Sequence, residues 1–307
     1  MSAALKPYVQ LHLCVLLWGF TAILGKLISL PAVALVWWRM ALVSACLLLV
    51  PLVWRGLRAL PRRLFGIYAG IGVVVALHWL SFYGAIKLAN ASVAVTCLAV
   101  GPVFTALVEP WITRRALVRR ELWLGLGVIP GVALVVGGVE VGFRLGIVLG
   151  LLSAVLASLF ASLNKRYVHR ADPMTVTAVE IGAGALFVTL VAPWFAGGLA
   201  QAFPLPRGAD AGWMALLVVA CTLLPFTLSL VALRQISAFT AQLAVNLEPL
   251  YAILLAALIF GEQRELTAGF YLGVALILGA VFLHPWWAHR DRRRAHSETL
   301  ATAEGPT

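Results

Sequence analysis

Apolar runs of about twenty residues follow one another almost from end to end of this 307-residue chain, and that feature decides most of what it can fold into. In hydrocarbon no water satisfies the backbone, so a spanning run must be a helix that closes its own hydrogen bonds. Ten such runs can be drawn, at approximately 8–28, 32–53, 65–86, 91–112, 122–140, 145–163, 174–195, 213–233, 238–260 and 267–287. Only 11% of the residues are charged against 62% hydrophobic, which excludes a soluble globular domain. The expected fold is an all-α polytopic membrane protein with ten transmembrane helices embedded in a lipid bilayer.

A net charge of +11 would suggest nucleic acid in a soluble protein, so its location matters. Lys6, Arg55, Arg58, Arg62, Arg63, Arg114, Arg115, Arg119, Arg120, Lys165, Arg166, Arg170, Arg234, Arg290, Arg292, Arg293 and Arg294 fall on one side of the ten-span reading. Lys87, Arg144, Arg207 and Arg264 fall on the other. The positive-inside rule puts the richer side, with both termini, in the cytoplasm. The basic charge is a topology signal, and no nucleic-acid partner is expected.

Two spans carry an interruption at mid-depth. Ser237 to Phe260 reads SAFTAQLAVNLEPLYAILLAALIF, and Asn90 to Trp111 reads NASVAVTCLAVGPVFTALVEPW. A shift of 147 residues lays Gly101-Pro102 on Glu248-Pro249 and brings Lys87, Ala91 and Ala94 onto Arg234, Ala238 and Ala241, the mark of an internal repeat. At a rise of ~1.5 Å per residue both prolines lie near the centre of a ~30 Å hydrocarbon core. Each removes the helical donor of the carbonyl four residues back, Leu98 or Val245, and bends the axis. Gly101, Pro102 and Pro249 are therefore hinge candidates, since paired interruptions in corresponding halves point to a transporter's binding site. Prolines that merely bend a helix are the plainer alternative.

Two five-span repeats have opposite orientation, because an odd count turns the second upside down. The organisation expected is a first five-helix repeat over 1–142, a second over 143–287, and a basic, disordered cytoplasmic tail over 288–307. Inverted repeats place a site at their interface near the midplane, with rocking of the halves giving alternating access.

Ionisable groups within spans are costly unless paired or hydrated. Glu248 is the deepest; it could take up a proton and couple transport to the proton gradient, bind a cationic group, or pair with Arg39. Lys26, Glu109 and Glu180 lie nearer span ends, where snorkelling to water would explain them. His78 lies well inside the third span, and His78, Trp79, Phe82 and Tyr83 at three- and four-residue spacings make an aromatic, polar face that should point inward. Trp18 is also deeper than the interfacial tryptophans. On the ninth helix Gln242 and Asn246 share a face with Pro249, while Glu248 and Tyr251 share another. These residues, Trp18, His78, Trp79, Phe82, Tyr83, Gln242, Asn246, Glu248 and Tyr251, are the candidate substrate pathway, with Glu248 and Arg39 as coupling group or ion pair.

The pairs Gly66 and Gly70, Gly146 and Gly150, and Gly269 and Gly273, and the stripe Ser153, Ala157 and Ala161, read as close helix packing. One such face could also serve a homodimer. Four cysteines without a C-x-x-C indicate neither a disulfide framework nor zinc. Gly19 to Lys26 is one residue too long for a phosphate-binding loop, and neither H-E-x-x-H nor G-x-S-x-G occurs. No cofactor or metal and no catalytic residue is expected.

Leu16-Leu17-Trp18-Gly19-Phe20, Trp38-Arg39-Met40, and GPVFTALVEP echoed by LEPLYAILLAALIFGEQ resemble the EamA-like branch of the drug/metabolite transporter superfamily. The resemblance covers nearly the whole chain. It implies a multi-pass, inverted-repeat secondary carrier in the bacterial inner membrane, exporting small amphipathic metabolites such as amino acids or related compounds. The first repeat departs from the pattern, ending in Thr113-Arg114-Arg115 where members often show a Gly-Glu pair like Gly261-Glu262. A lipid-linked or nucleotide-sugar carrier, an intramembrane enzyme using Glu248 and His78, and a regulatory membrane subunit are the alternatives.

Overall fold

The computed structural model describes residues 5–137 and 141–260, together with 268–269, 271–273, 275–276 and 279. All regular secondary structure among them is helical. Most of the tenth expected span, Gly261-Glu262 and the tail at 288–307 lie outside the described residues.

Helix α1, Lys6–Leu27, opens with Pro7 in its first turn, where a missing N–H costs nothing, and closes with Lys26 against the negative end of its dipole. Helix α2 spans Ala32–Leu48, and α3, Pro51–Ala59, turns away from it by 91°. The second run, expected as one helix over 32–53, thus ends early. Pro51 starts a new helix, because proline suits a first turn and forces an extended residue before it. Helix α4, Arg62–Leu88, is continuous.

Next come α5, Ala91–Leu98, and α6, Gly101–Thr113, then α7, Arg119–Leu126, and α8, Ile129–Gly137. The second half holds α9, Arg144–Tyr167, α10, Pro173–Ala196, the single turn α11, Leu199–Ala202, and α12, Ala209–Val218. A π turn at Val219–Leu223 joins α12 to α13, Leu224–Leu233, followed by α14, Ala238–Val245, and α15, Glu248–Phe260. Among the described residues six helices are long and apolar enough to cross a membrane, or seven if the bent α2 and α3 form one span. The chain is a multi-pass membrane protein.

Burial separates lipid-facing from packed surfaces. On α10, Leu186, Leu190 and Trp194 recur every four residues and are exposed, while Ile181, Val188 and Ala192 are buried. Helix α4 packs on α9 and α10, α2 packs on α10, and α1 lies against α13 and α15. The crossing of α4 and α10 needs glycine: a Cβ on Gly72 would stand 2.1 Å from the Glu180 carbonyl oxygen.

The 147-residue offset reappears as repeated local devices. Asn90 caps α5 by accepting from Val93 N at 2.7 Å, and Ser237 caps α14 by accepting from Thr240 N at 3.0 Å. Lys87 Nζ donates to the carbonyl of Ile28, the C-cap of α1, at 2.6 Å. Arg234, its repeat mate, donates to Val168, the C-cap of α9, at 3.2 Å and to Ala171 at 2.8 Å. In each half a cation at one position satisfies the open end of that half's first helix.

Candidate functional site

Both interrupted spans break in the turn just before the proline, where its missing N–H and its ring act. Between α5 and α6 the chain leaves the α pattern at Ala99 and Val100, whose N–H groups reach back only to Thr96 and Cys97. Between α14 and α15 the same tightening occurs at Asn246 and Leu247, bonded to Leu243 and Ala244. The two breaks touch. Asn246 Nδ2 donates to the Ala99 carbonyl at 3.1 Å, and these residues are 147 apart, so equivalent points of the two repeats meet. A Cβ on Gly101 would stand 2.6 Å from Gln242 Nε2, and Ser158 Oγ of α9 donates to the Gly101 carbonyl at 2.9 Å. Protein groups thus satisfy the irregular backbone that lipid could not.

Beside this crossing lies a cavity of about 100 Å³. Trp18, Arg39, His78, Trp79, Phe82, Gln242 and Glu248 line it. Of the other expected pathway residues, Tyr83 stands behind Arg39, Asn246 is committed to Ala99, and Tyr251 packs against Gly19; none of the three lines the cavity. Gly101 and Pro102 open α6 and Pro249 is the second residue of α15, just past the breaks, and none of the three lines the wall.

Because the chain breaks at Asn246 and Leu247, Glu248 is the first residue of α15, where the dipole favours a negative group. It is 5% exposed, faces the cavity and has no hydrogen-bond partner among the described residues. Arg39, 2% exposed, is heavily committed. Its Nε donates to Thr222 Oγ1 at 2.7 Å, Nη1 to the Tyr83 hydroxyl at 2.9 Å and Nη2 to the Cys221 carbonyl at 3.3 Å, and its guanidinium lies 3.8 Å over the Trp79 ring. The Cys221 carbonyl is open because the residue four further on is Pro225, which has no N–H to offer. Arg39 and Glu248 share the cavity and lie in electrostatic reach, but no ion pair or hydrogen bond joins them. The direct pair considered from the sequence is not formed.

His78 is anchored from behind. Its Nδ1 stands 2.9 Å from the Ser153 carbonyl, and Ser153 Oγ donates to the His78 carbonyl at 3.1 Å. Nδ1 also stands 2.8 Å from Ser153 Oγ; when Nδ1 donates to the carbonyl, which can only accept, Nε2 is left as an acceptor. The ring stacks with Phe82 and packs on Phe160, at centroid distances of 6.3 and 5.3 Å. No hydrogen bond joins it to Glu248.

The sequence reading missed Thr21, Phe160, Asn164, Phe226 and Ser229 in the wall. Ala157 and Ala161, expected as helix packing, also line the cavity, and Ser153 holds His78. Extending that stripe by three residues reaches Asn164, a signal available in the sequence.

Two carboxylates expected to snorkel do not. Glu109 is 1% exposed and clasps the start of α14, accepting from Ala238 N at 2.9 Å on Oε1 and from Phe239 N at 2.8 Å on Oε2. Arg115 binds it at 3.1 Å and also bonds Glu121. Burial works against the Arg115 charge, but the two carboxylates outweigh it and hold its pKa above the ordinary value. Glu180 is 0% exposed. Position near a helix end did not predict access to water, because neighbouring helices cover both groups. Lys26 is exposed, as snorkelling requires.

One solved structure, described only as a protein crystal structure, superimposes with a TM-score of 0.69 at 17% identity, over 93% of this chain and 98% of its own. That likeness shows the fold alone. No curated protein matches the chain. The family model of the EamA-like transporters matches twice, over residues 5–137 and 144–284. Two copies covering most of the chain, on a multi-pass helical fold, establish that it belongs to the EamA-like transporter family, a family of membrane transporters of the drug/metabolite superfamily.

Proposed function

We propose that this transporter is a secondary carrier that exports small amphipathic metabolites, amino acids or related compounds, across the bacterial inner membrane in exchange for protons. The observation that carries the reading is the Glu248 carboxyl, without a hydrogen-bond partner among the described residues, facing an aromatic cavity beside Arg39 at the crossing of two broken helices. Arg39 uses three of its five N–H donors on the protein, and two stay free for a carboxylate or similar acceptor. Glu248 and the Nε2 acceptor of His78 suit an ammonium group. Trp18, Trp79, Phe82 and Phe226 suit an apolar body between them.

Exchange follows from one carboxyl with two competing occupants. A proton on Glu248 displaces the cationic group of the cargo, and the cargo excludes the proton, so neither half of the cycle returns with both. Ten spans as two inverted repeats, with divisions near 142 and 287, would let the contacting breaks act as the pivot of alternating access, with Gly101, Pro102 and Pro249 as hinges. Both termini then lie in the cytoplasm.

The test compares metabolites leaving cells that express the wild-type chain, an equally abundant folded Glu248→Gln variant, or neither, by untargeted mass spectrometry. A compound released faster only by the wild type supports the reading and identifies the cargo. Equal release in all three would overturn export.

A further inference from the structure

Glu180 is a second enclosed carboxyl, outside the lining of the cavity that Glu248 faces and outside the exchange just described. It sits on α10 at the tight crossing with α4, where the Gly72 backbone touches its own, and none of its surface reaches solvent. Asn164 Nδ2 of α9 donates to Glu180 Oε2 at 3.2 Å. The remaining atoms of this pair are orphans: Glu180 Oε1 and Asn164 Oδ1 are both buried acceptors without a donor.

The charged and titratable groups nearby are otherwise engaged. From α4, Tyr68 donates its hydroxyl to the Tyr167 carbonyl at 2.9 Å. Arg234 is spent on Val168 and Ala171. Arg170, within electrostatic reach of Tyr68 along with Glu180, is exposed and makes no ion pair with Glu180. Among the described residues an ionised carboxyl here would have one amide donor and no paired cation, which an enclosed apolar site tolerates poorly.

We propose that Glu180 holds a proton and forms a cyclic acid–amide pair with Asn164. Asn164 Nδ2–H donates to Glu180 Oε2, and Glu180 Oε1–H donates to Asn164 Oδ1. One proton thereby provides the donor that both orphaned acceptors lack. Asn164 also lines the cavity that Glu248 faces while Glu180 does not, so the pair is a second proton-binding site behind the wall of that cavity, linked to it through the amide. Its existence does not depend on which cargo the chain carries or in which direction.

The experiment is infrared spectroscopy of the full chain reconstituted in lipid at neutral pH, in the Glu248→Gln background so that this carboxyl is silent. The expected result is a protonated-carboxyl carbonyl band that is lost in Glu180→Gln and moves to higher frequency in Asn164→Leu, where its hydrogen bonds are gone. The band should not respond when sodium replaces potassium. Loss of carboxylate bands instead would show Glu180 ionised and overturn the proposal, as would a sodium-dependent band, which would mark a metal-cation site. If Glu180→Gln fails to fold, the Asn164→Leu shift decides alone, and an unmoved band overturns the pairing. Because the readout is spectroscopic, failure of export leaves this test intact.

Discussion

Arg39 is held inside the membrane by groups from two directions: Thr222 and the Cys221 carbonyl on the π turn, Tyr83 and the Trp79 ring on α4. A lysine keeps the charge but not the planar fork, so it cannot reach three separated acceptors and stack at once. Arg39→Lys should therefore lower stability by about 1–3 kcal/mol for each buried group left unpaired, read as earlier thermal unfolding of the purified chain. An unchanged melting curve would contradict the packing described. Such residues were legible in the sequence because Arg39, Glu248, His78 and Trp79 are unusual at membrane depth and each has chemistry to use. Glu109 and Glu180 were misjudged for a physical reason. Distance from a helix end gives depth, but whether a neighbouring helix covers that face is a tertiary fact.

At the scale of the helix, the breaks matter more than the apolar runs. Asn246→Leu removes the amide that joins the repeats and leaves the Ala99 carbonyl buried without a donor, a loss of about 1–3 kcal/mol in thermal unfolding. Pro225→Ala supplies an N–H to the Cys221 carbonyl, competes with Arg39 for it and favours a regular helix over the π turn. That variant should stay folded while its transport falls, which flux measured beside melting temperature can check. Pro102 and Pro249 announced their breaks because the repeat sets them side by side; Pro225 follows a π turn, widened where those two are tightened, and has no matching proline in the first half. The 91° turn after Leu48 was hidden because hydrophobic length fixes how far a run extends, not whether its helix continues.

For the whole molecule, the offset of 147 residues survives as matched caps, matched cation clasps and one contact between equivalent breaks. The two-repeat plan was thus legible from a handful of residues, while the cavity they enclose was only half legible, since Asn164, Phe160 and Phe226 look like ordinary core until the helices are assembled. Orientation is open to a direct check. With native cysteines replaced, Arg114→Cys should react with an impermeant thiol reagent only from the cytoplasmic side and Arg207→Cys only from outside; the reverse pattern would invert the proposed topology.

The most direct test of the central claim is made in liposomes, with the cargo found by efflux profiling and a dye reporting internal pH. Wild-type protein should move protons whenever it moves cargo, in opposite directions, and an imposed proton gradient should drive cargo against its own gradient. Glu248→Gln, folded and equally abundant, should lose the gradient-driven flux. If the variant keeps wild-type flux with wild-type proton movement, the carboxyl at the crossing is not where protons and cargo exchange, and the proposed mechanism is wrong.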